Sequence, residues 1–203
     1  MRGPRPSSCS ARRAALLALF ACALAARAPA AEPAALRAGV FEPPRPAPDF
    51  ALAGSDGRTL ELARFRGKVV VLAFGFTSCP EVCPTTLATL AAARKQLGDA
   101  RARDFQVVYV TVDPERDDAA RMKSYLASFD PTFVGATGSE DQLAAVRRDY
   151  GVTATRRVSA DGYSYSHSSF TYLIDRAGTI RALMPYGRSA DDYAHDVAIL
   201  LGE

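Results

Sequence analysis

Two long apolar runs dominate the pattern of hydrophobic and polar positions along the chain. Residues Val69–Phe76 and Phe105–Val112 are almost entirely apolar and rich in β-branched and aromatic side chains. Such runs are typical of central strands that are buried on both faces. Between the two runs, apolar side chains at helical spacing predict a helix that ends near Gly98: Leu87, Leu90, Ala91 and Leu97. Strand, helix and strand in this order predict a parallel crossover unit.

Shorter patterns flank this unit. Ahead of it, two short apolar segments enclose the turn sequence Gly54-Ser55-Asp56-Gly57 and predict a hairpin. After it, apolar positions at i, i+3, i+4 and i+7 predict a helix over residues 122–129, and a capping box at Ser139 starts a helix that runs to Tyr150. The segments 170–174 and 179–184 predict a second hairpin, and a last helix follows Ser189.

This order of elements is that of a thioredoxin-like α/β sandwich with a central mixed sheet. The N-terminal hairpin and the inserted segments 113–150 and 153–168 would be additions to its minimal core. Of the 203 residues, 48% are hydrophobic and 23% are charged, which is ordinary for a globular domain. Disordered, collagen-like and disulfide-scaffold proteins are therefore excluded.

Residues 1–30 have the order of a secretory signal: basic residues without an acid, an apolar run over residues 14–26, then small residues. The apolar run is shorter than the roughly 20 residues that a membrane-spanning helix needs, so we expect cleavage. Cys22 leaves a lipoprotein signal open, and the basic, acid-free start leaves a mitochondrial presequence open. We expect export, with attachment to a membrane by a lipid or by an uncleaved leader as the alternative.

The net charge depends on this leader. The chain has 25 basic and 22 acidic residues, a formal net charge of +3, but five of the basic residues precede the first acid, Glu32. Without residues 1–30 the count is 20 basic against 22 acidic residues, a net charge of −2. We therefore expect no nucleic-acid partner, because the electrostatic attraction for one is missing.

Prolines mark the segment between the leader and the domain. Eight of the 13 prolines lie at or before Pro48, and proline continues neither a helix nor a central strand. Residues 31–48 are therefore predicted to form a Pro/Ala-rich tether, and residues 49–203 the folded domain.

Two cysteines occupy the loop between the first central strand and its helix. Cys79 and Cys83 are the only cysteines left if Cys9 and Cys22 leave with the leader. A structural disulfide across so short a loop would stabilise the fold only weakly. A helix N-terminus favours thiolates, which suits both disulfide exchange and soft-metal binding. Two thiolates suit Cu(I), whereas Zn(II) prefers four ligands.

His167 is one of two histidines and lies just before the second hairpin. A loop histidine is usually solvated, but in a thioredoxin-like sandwich this point of the chain lies against the cysteine loop. Cys79, Cys83 and His167 would then form a three-ligand site for Cu(I) or Cu(II). His195, among acidic residues of the last helix, is expected at the surface.

The segment Asp113-Pro114-Glu115-Arg116-Asp117 follows the second central strand at the same edge as the cysteine loop. Its simplest interpretation is a helix N-cap with a local ion pair through Arg116. Support for the neighbouring site and a partner-docking surface are the alternatives.

From about Pro48 to its C-terminus, the chain resembles the Sco/SenC (PrrC-type) copper chaperones of cytochrome c oxidase assembly. Three separated motifs carry the resemblance: Gly75-Phe76-Thr77-Ser78-Cys79-Pro80-Glu81-Val82-Cys83-Pro84, Val112-Asp113-Pro114-Glu115-Arg116-Asp117, and Ser166-His167 before Tyr172-Leu173-Ile174-Asp175. The resemblance implies one copper ion held by Cys79, Cys83 and His167. It also implies a periplasmic, membrane-proximal protein whose partner is the copper-bearing subunit of the oxidase.

Two functions compete on this basis. The first is a metallochaperone, not an enzyme, that passes copper to the binuclear CuA site of the oxidase. The second is a thiol-disulfide oxidoreductase that reduces the cysteines of that site through Cys79 and Cys83. Ser169 stands where thioredoxin-like oxidoreductases carry a cis-proline, which favours the copper function. A thiol peroxidase is a weaker third candidate, and a periplasmic thiol reductase or copper donor is a further expected partner.

Overall fold

The computed structural model describes residues 1, 3, 35–160 and 162–202. The predicted secretory signal, with Cys9 and Cys22, therefore lies outside the described residues. Within the described part, no helix is both long and apolar enough to cross a membrane.

An eight-stranded mixed sheet forms the centre of the domain, in the order β1-β10-β9-β4-β5-β6-β2-β3, and β7 and β8 form a separate hairpin. The strands are β1 (Gly39–Pro46), β2 (Ala51–Gly54), β3 (Thr59–Glu61), β4 (Val69–Gly75), β5 (Phe105–Thr111), β6 (Val134–Thr137), β7 (Ala154–Ser159), β8 (Gly162–His167), β9 (Thr171–Ile174) and β10 (Thr179–Met184). The helices are α1 (Val82–Ala102), α2 (Ala119–Ala127), α3 (Glu140–Tyr150) and α4 (Ala190–Gly202), with a 3-10 turn at Leu62–Phe65.

The crossover unit is present as predicted. Strands β4 and β5 pair in parallel from Val69 opposite Phe105 to Gly75 opposite Thr111, and every residue of both strands is buried. Continuous burial explains why both strands are apolar runs rather than alternating patterns. Helix α1 connects them but continues beyond its predicted end: Gly98 interrupts it with a φ of 70°, and the last turn reaches Ala102.

Strand β6 extends the sheet and was not predicted. It pairs in parallel with β5 and antiparallel with β2, and so joins the N-terminal hairpin to the central strands. It has only four residues, and one of them is Gly135, so its sequence carries a weak strand signal. The glycine is needed because a Cβ there would stand 2.8 Å from Met122 Cε of helix α2.

The predicted tether is wrong for residues 39–46, which form strand β1. This strand pairs antiparallel with β10, from Gly39 opposite Leu183 to Pro46 opposite Thr179, with a register shift between Val40 and Arg45. Its prolines are tolerated because β1 is the outermost strand and needs hydrogen bonds on one side only. The sheet therefore begins ten residues before the predicted domain start at Asp49.

A buried carboxylate fixes the chain just before β1. Asp196 of helix α4 is fully buried and accepts hydrogen bonds from the backbone amides of Arg37 and Ala38, each at 2.8 Å. His195 Nδ1 lies 2.9 Å from the same carboxylate, so this histidine, expected at the surface, is partly buried and in hydrogen-bond contact with Asp196. The N-terminal segment is thus attached to α4 as well as to β10.

We expect a chain that begins at Asp49 to be less stable than one that begins at Ala35. The shorter chain leaves the edge of β10 unpaired and removes both amide donors of Asp196. Two hydrogen bonds to a charged group correspond to roughly 3–6 kcal/mol of unfolding free energy. Urea unfolding of the two chains measures the difference, and equal midpoints and slopes would show that β1 contributes nothing to the stability of the domain.

Candidate metal centre

The two cysteines lie where the parallel strand β4 gives way to helix α1. Cys79 is in the loop and partly exposed, while Cys83 is in the first turn of α1 and only 3% exposed. The Cys83 amide donates to Cys79 Sγ at 3.5 Å, so the loop folds back over the helix start. Both thiols are free in this structure.

Burial governs the acidity of Cys83. It raises the pKa of this thiol to about 12, and the nearby Tyr109 hydroxyl only partly opposes the rise. The helix N-terminus was expected to stabilise the thiolate, but at Cys83 this effect is overcome. The free energy lost by removing a charge from water exceeds the electrostatic stabilisation by the helix. Without a bound cation this sulfur stays protonated at neutral pH.

His167 lies against Cys83, one of the two cysteines it was expected to face, and it ends strand β8 instead of lying in a loop. Its Nε2 is 3.6 Å from Cys83 Sγ, and its Nδ1 is 2.7 Å from the carbonyl oxygen of Ser168. A carbonyl only accepts, so Nδ1 carries the proton and Nε2 turns a lone pair towards the sulfur. Burial lowers the pKa of His167, which keeps the ring neutral at neutral pH.

These groups surround a cavity of about 10 Å³, whose lining includes Cys83, His167 and Tyr109. The donors are an imidazole nitrogen and a thiol, with the second thiol beside them, which is the chemistry that soft or borderline metal ions prefer. In the described part of the chain, no three Cys, His, Asp or Glu side chains already converge into a finished metal cluster. Cys83 contacts both Cys79 and His167, and among the described residues no hydrogen bond joins Cys79 to His167.

Asp117 fixes the cysteine loop through hydrogen bonds to Thr77. It is fully buried and accepts from the Thr77 amide at 2.9 Å, the Thr77 hydroxyl at 2.5 Å and the Thr111 hydroxyl at 2.7 Å. Thr77 is two residues before Cys79, and Thr111 is the last residue of β5. The carboxylate therefore fixes the loop that carries the first sulfur against the end of the neighbouring strand.

The same segment also holds the hairpin that carries His167. The Arg116 guanidinium lies 4.0 Å from the Tyr163 ring centroid and donates to the Tyr163 carbonyl at 3.1 Å, while the Tyr163 hydroxyl donates to Asp113 at 3.0 Å. Arg156 covers the ring at 3.7 Å and pairs through two hydrogen bonds with Glu115. Tyr163 is thus enclosed between two guanidinium groups.

Residues 113–117 consequently support the site on both sides. The predicted ion pair through Arg116 is confirmed, but the predicted N-cap is wrong, since Asp118 caps helix α2.

The hairpin β7–β8 was missed, although a signal for it exists: Tyr163, Tyr165 and His167 alternate with serines, and these three side chains are the less exposed ones of β8. Phe76 packs edge-on against both Tyr165 and His167, and these contacts hold the hairpin against the start of the cysteine loop.

We expect Cys79 to react with iodoacetamide at least tenfold faster than Cys83 in the reduced, metal-free protein at pH 8. Only the thiolate reacts, and a thiol with a pKa of about 12 is ionised to roughly one part in 10⁴ at that pH. Peptide mass spectrometry of singly modified protein measures the ratio. Equal rates would contradict the burial of Cys83, and unfolding in urea should make the rates equal.

We expect Arg116→Lys to loosen the hairpin without unfolding the domain. Lysine keeps the charge but cannot stack on Tyr163 while donating to its carbonyl and to Asp113. Amide hydrogen exchange should become at least tenfold faster across β7 and β8 and remain unchanged in β4 and β5. Arg157→Lys, on the exposed side of the same hairpin, is the control, and equal exchange in both variants would contradict the role of Arg116.

Known proteins resemble this chain in sequence and in fold. The SCO1/SenC family profile matches residues 41–202. The SCO2-like protein of Rickettsia felis is 38% identical over 133 residues, which make up 64% of this chain and 64% of that protein. Copper-bound ScoI of Arabidopsis thaliana superposes with a TM-score of 0.72 at 30% identity, over 77% of this chain and 99% of that one. Apo Sco1 of Thermus thermophilus gives a TM-score of 0.74 at 33% identity, over 82% of this chain and 98% of that one.

The chain spans 57 to 64% of the length of the curated relatives that it first matches. The solved Sco domains, by contrast, are covered almost completely, and they confirm the predicted thioredoxin-like fold. The family match begins inside strand β1, which agrees with a sheet that starts before Asp49. From strand β1 to helix α4, the chain belongs to the SCO1/SenC family.

Proposed function

We propose that this protein binds one copper ion through Cys79, Cys83 and His167 and delivers it to the binuclear CuA site of cytochrome c oxidase. One observation carries the proposal: the unprotonated Nε2 of His167 faces Cys83 Sγ at 3.6 Å. The copper in the related Arabidopsis thaliana protein supports the choice of metal.

The donor set favours copper over zinc. Cu(I) accepts two thiolates and one imidazole in a three-coordinate site, and the imidazole also suits Cu(II). Zn(II) takes four ligands in a structural site, whereas the residues proposed here supply three. Copper binding would displace the proton from Cys83, because the cation replaces the stabilisation that burial removes.

Cys79 is the side chain that completes the site. Its sulfur accepts a hydrogen bond from the Cys83 amide, and copper binding would require this side chain to turn towards the cavity. Because Cys79 is partly exposed, an incoming thiolate of the oxidase can replace it first. Cys83 and His167 then release copper in turn, so that the ion passes between proteins without entering water.

The same cysteines also support the alternative, a thiol-disulfide oxidoreductase. The exposed Cys79 thiolate would attack a disulfide of the oxidase copper site, forming a mixed disulfide and releasing one thiolate. Cys83 would then attack Cys79 Sγ, releasing the second thiol and leaving a Cys79–Cys83 disulfide. The difference in burial between the two cysteines favours this order of attack, and an external thiol reductant would restore the pair.

The setting we propose is the periplasmic face of a membrane. The secretory order of residues 1–30 supports export, and an oxidase subunit in the membrane requires a carrier that stays close to it. A periplasmic copper donor and a thiol reductase would then supply the ion and keep the cysteines reduced.

We expect His167→Ala to lose Cu(II) binding and to retain the reactivity of the cysteine pair. The imidazole nitrogen is removed while both sulfurs remain, so disulfide exchange does not need the deleted group. Cys79→Ser and Cys83→Ser should each lose both properties. Copper per chain is measured after anaerobic reduction, loading and gel filtration, and the matched control is His195→Ala, which replaces the other histidine, a partner of Asp196 on helix α4.

The outcomes separate the two functions. One copper per wild-type chain and transfer of that copper to an isolated CuA domain support the carrier. Unchanged Cu(II) affinity in His167→Ala would remove His167 from the site. A wild-type protein that retains no copper but reduces the oxidised CuA cysteines would assign the protein to the oxidoreductases.

A further inference from the structure

A buried hydroxyl behind the cysteines has been described so far only through its effect on the pKa of Cys83. Tyr109 lies in the middle of strand β5 and is 1% exposed. Its hydroxyl is shielded from solvent and has no hydrogen-bond partner of normal geometry among the described residues. Leaving a buried hydroxyl unpaired costs roughly 1–3 kcal/mol, so such a group calls for a ligand or a state of the protein in which it is paired.

The hydroxyl lies close to the sulfur of Cys83. Both atoms lie against the Cα of Gly75: a Cβ at that position would collide with Tyr109 Oη and stand 2.7 Å from Cys83 Sγ. Glycine at the end of β4 therefore allows the two atoms to occupy the same small space. Tyr109, Cys83 and His167 also line the same cavity.

We propose that Tyr109 is a positioning residue whose hydroxyl donates a hydrogen bond to Cys83 Sγ when that sulfur is a copper-bound thiolate. The inference rests on the proposed function. A protonated thiol is a weak acceptor and leaves the hydroxyl unpaired, whereas a thiolate is a strong one. Burial raises the pKa of Tyr109 well above its usual value, so the phenol keeps the proton that it donates.

Charge balance explains why such a donor is useful. One Cu(I) ion and two thiolates carry a net charge of −1, and Cys83 places part of that charge in the core. A buried anion without donors is strongly penalised. The Tyr109 hydroxyl supplies a hydrogen-bond donor to the sulfur from the protein side, in addition to the stabilisation that the copper ion gives.

Tyr125 provides a matched comparison. Its hydroxyl is also shielded and unpaired within the described part of the chain, and its ring is 6.5 Å from that of Tyr109. It lies on helix α2 and is not among the nearest atoms to Gly75. A Tyr→Phe change there removes the same hydroxyl from the same region without removing the donor to Cys83.

The test compares the full-length Tyr109→Phe and Tyr125→Phe proteins. A hydrogen bond to sulfur lowers the energy of the electrons that the thiolate shares with copper. We expect Tyr109→Phe to shift the sulfur-to-Cu(II) absorption band to longer wavelength and to weaken Cu(I) binding by about tenfold in a chelator competition. In the metal-free protein its Tm should equal or exceed that of the wild type. Tyr125→Phe should leave the band and the affinity unchanged.

A copper-independent measurement separates this inference from the proposed function. In a Cys79→Ser background at pH 8, Tyr109→Phe should slow the alkylation of Cys83 by about tenfold, because the thiolate loses its donor. If the wild type binds no copper and the alkylation still slows, the carrier function fails and the hydrogen bond stands. If copper binds and Tyr109→Phe changes neither the band, the affinity nor the alkylation rate, the role of Tyr109 is overturned.

Discussion

The buried carboxylate of Asp117 is the interaction on which the rest of the site depends. It accepts hydrogen bonds from the amide and hydroxyl of Thr77 and from the hydroxyl of Thr111. One carboxylate thus fixes the cysteine loop to the end of a neighbouring strand. A charge in the core is stable only if its hydrogen bonds are satisfied, and those same bonds make the loop rigid. The position of Cys79 and Cys83 follows from this constraint.

The sheet topology then brings the remaining groups together. Strands β4 and β5 are parallel neighbours, so their carboxyl ends place the cysteine loop beside residues 113–117. That segment contacts the β7–β8 hairpin through two side chains of the hairpin: Tyr163 packs against Arg116, and Arg156 pairs with Glu115. Three stretches far apart in the chain thus meet at one edge of the domain, where a thiol and an imidazole lie in contact.

Much of this could be predicted because its causes are local or strongly apolar. The β-branched and aromatic runs at Val69 and Phe105 favour buried strands, and both strands formed. The capping box at Ser139 also formed as expected, with both of its hydrogen bonds. Strand β1 was missed because its prolines argue against a strand unless its place at the sheet edge is known. Proximity of His167 to Cys83 was predictable from the fold, whereas the unpaired hydroxyl of Tyr109 depends on packing that no sequence pattern reports.

Among the residues that the structure describes, the β7–β8 hairpin pairs with no strand of the eight-stranded sheet, although it carries the imidazole of His167. The sulfur donors belong to the framework of the domain, and the nitrogen donor belongs to an attachment on it. If the proposed copper site is correct, the preference for a metal over disulfide chemistry would reside in the fourteen residues from Ala154 to His167, apart from the strands and helix that carry the thiols.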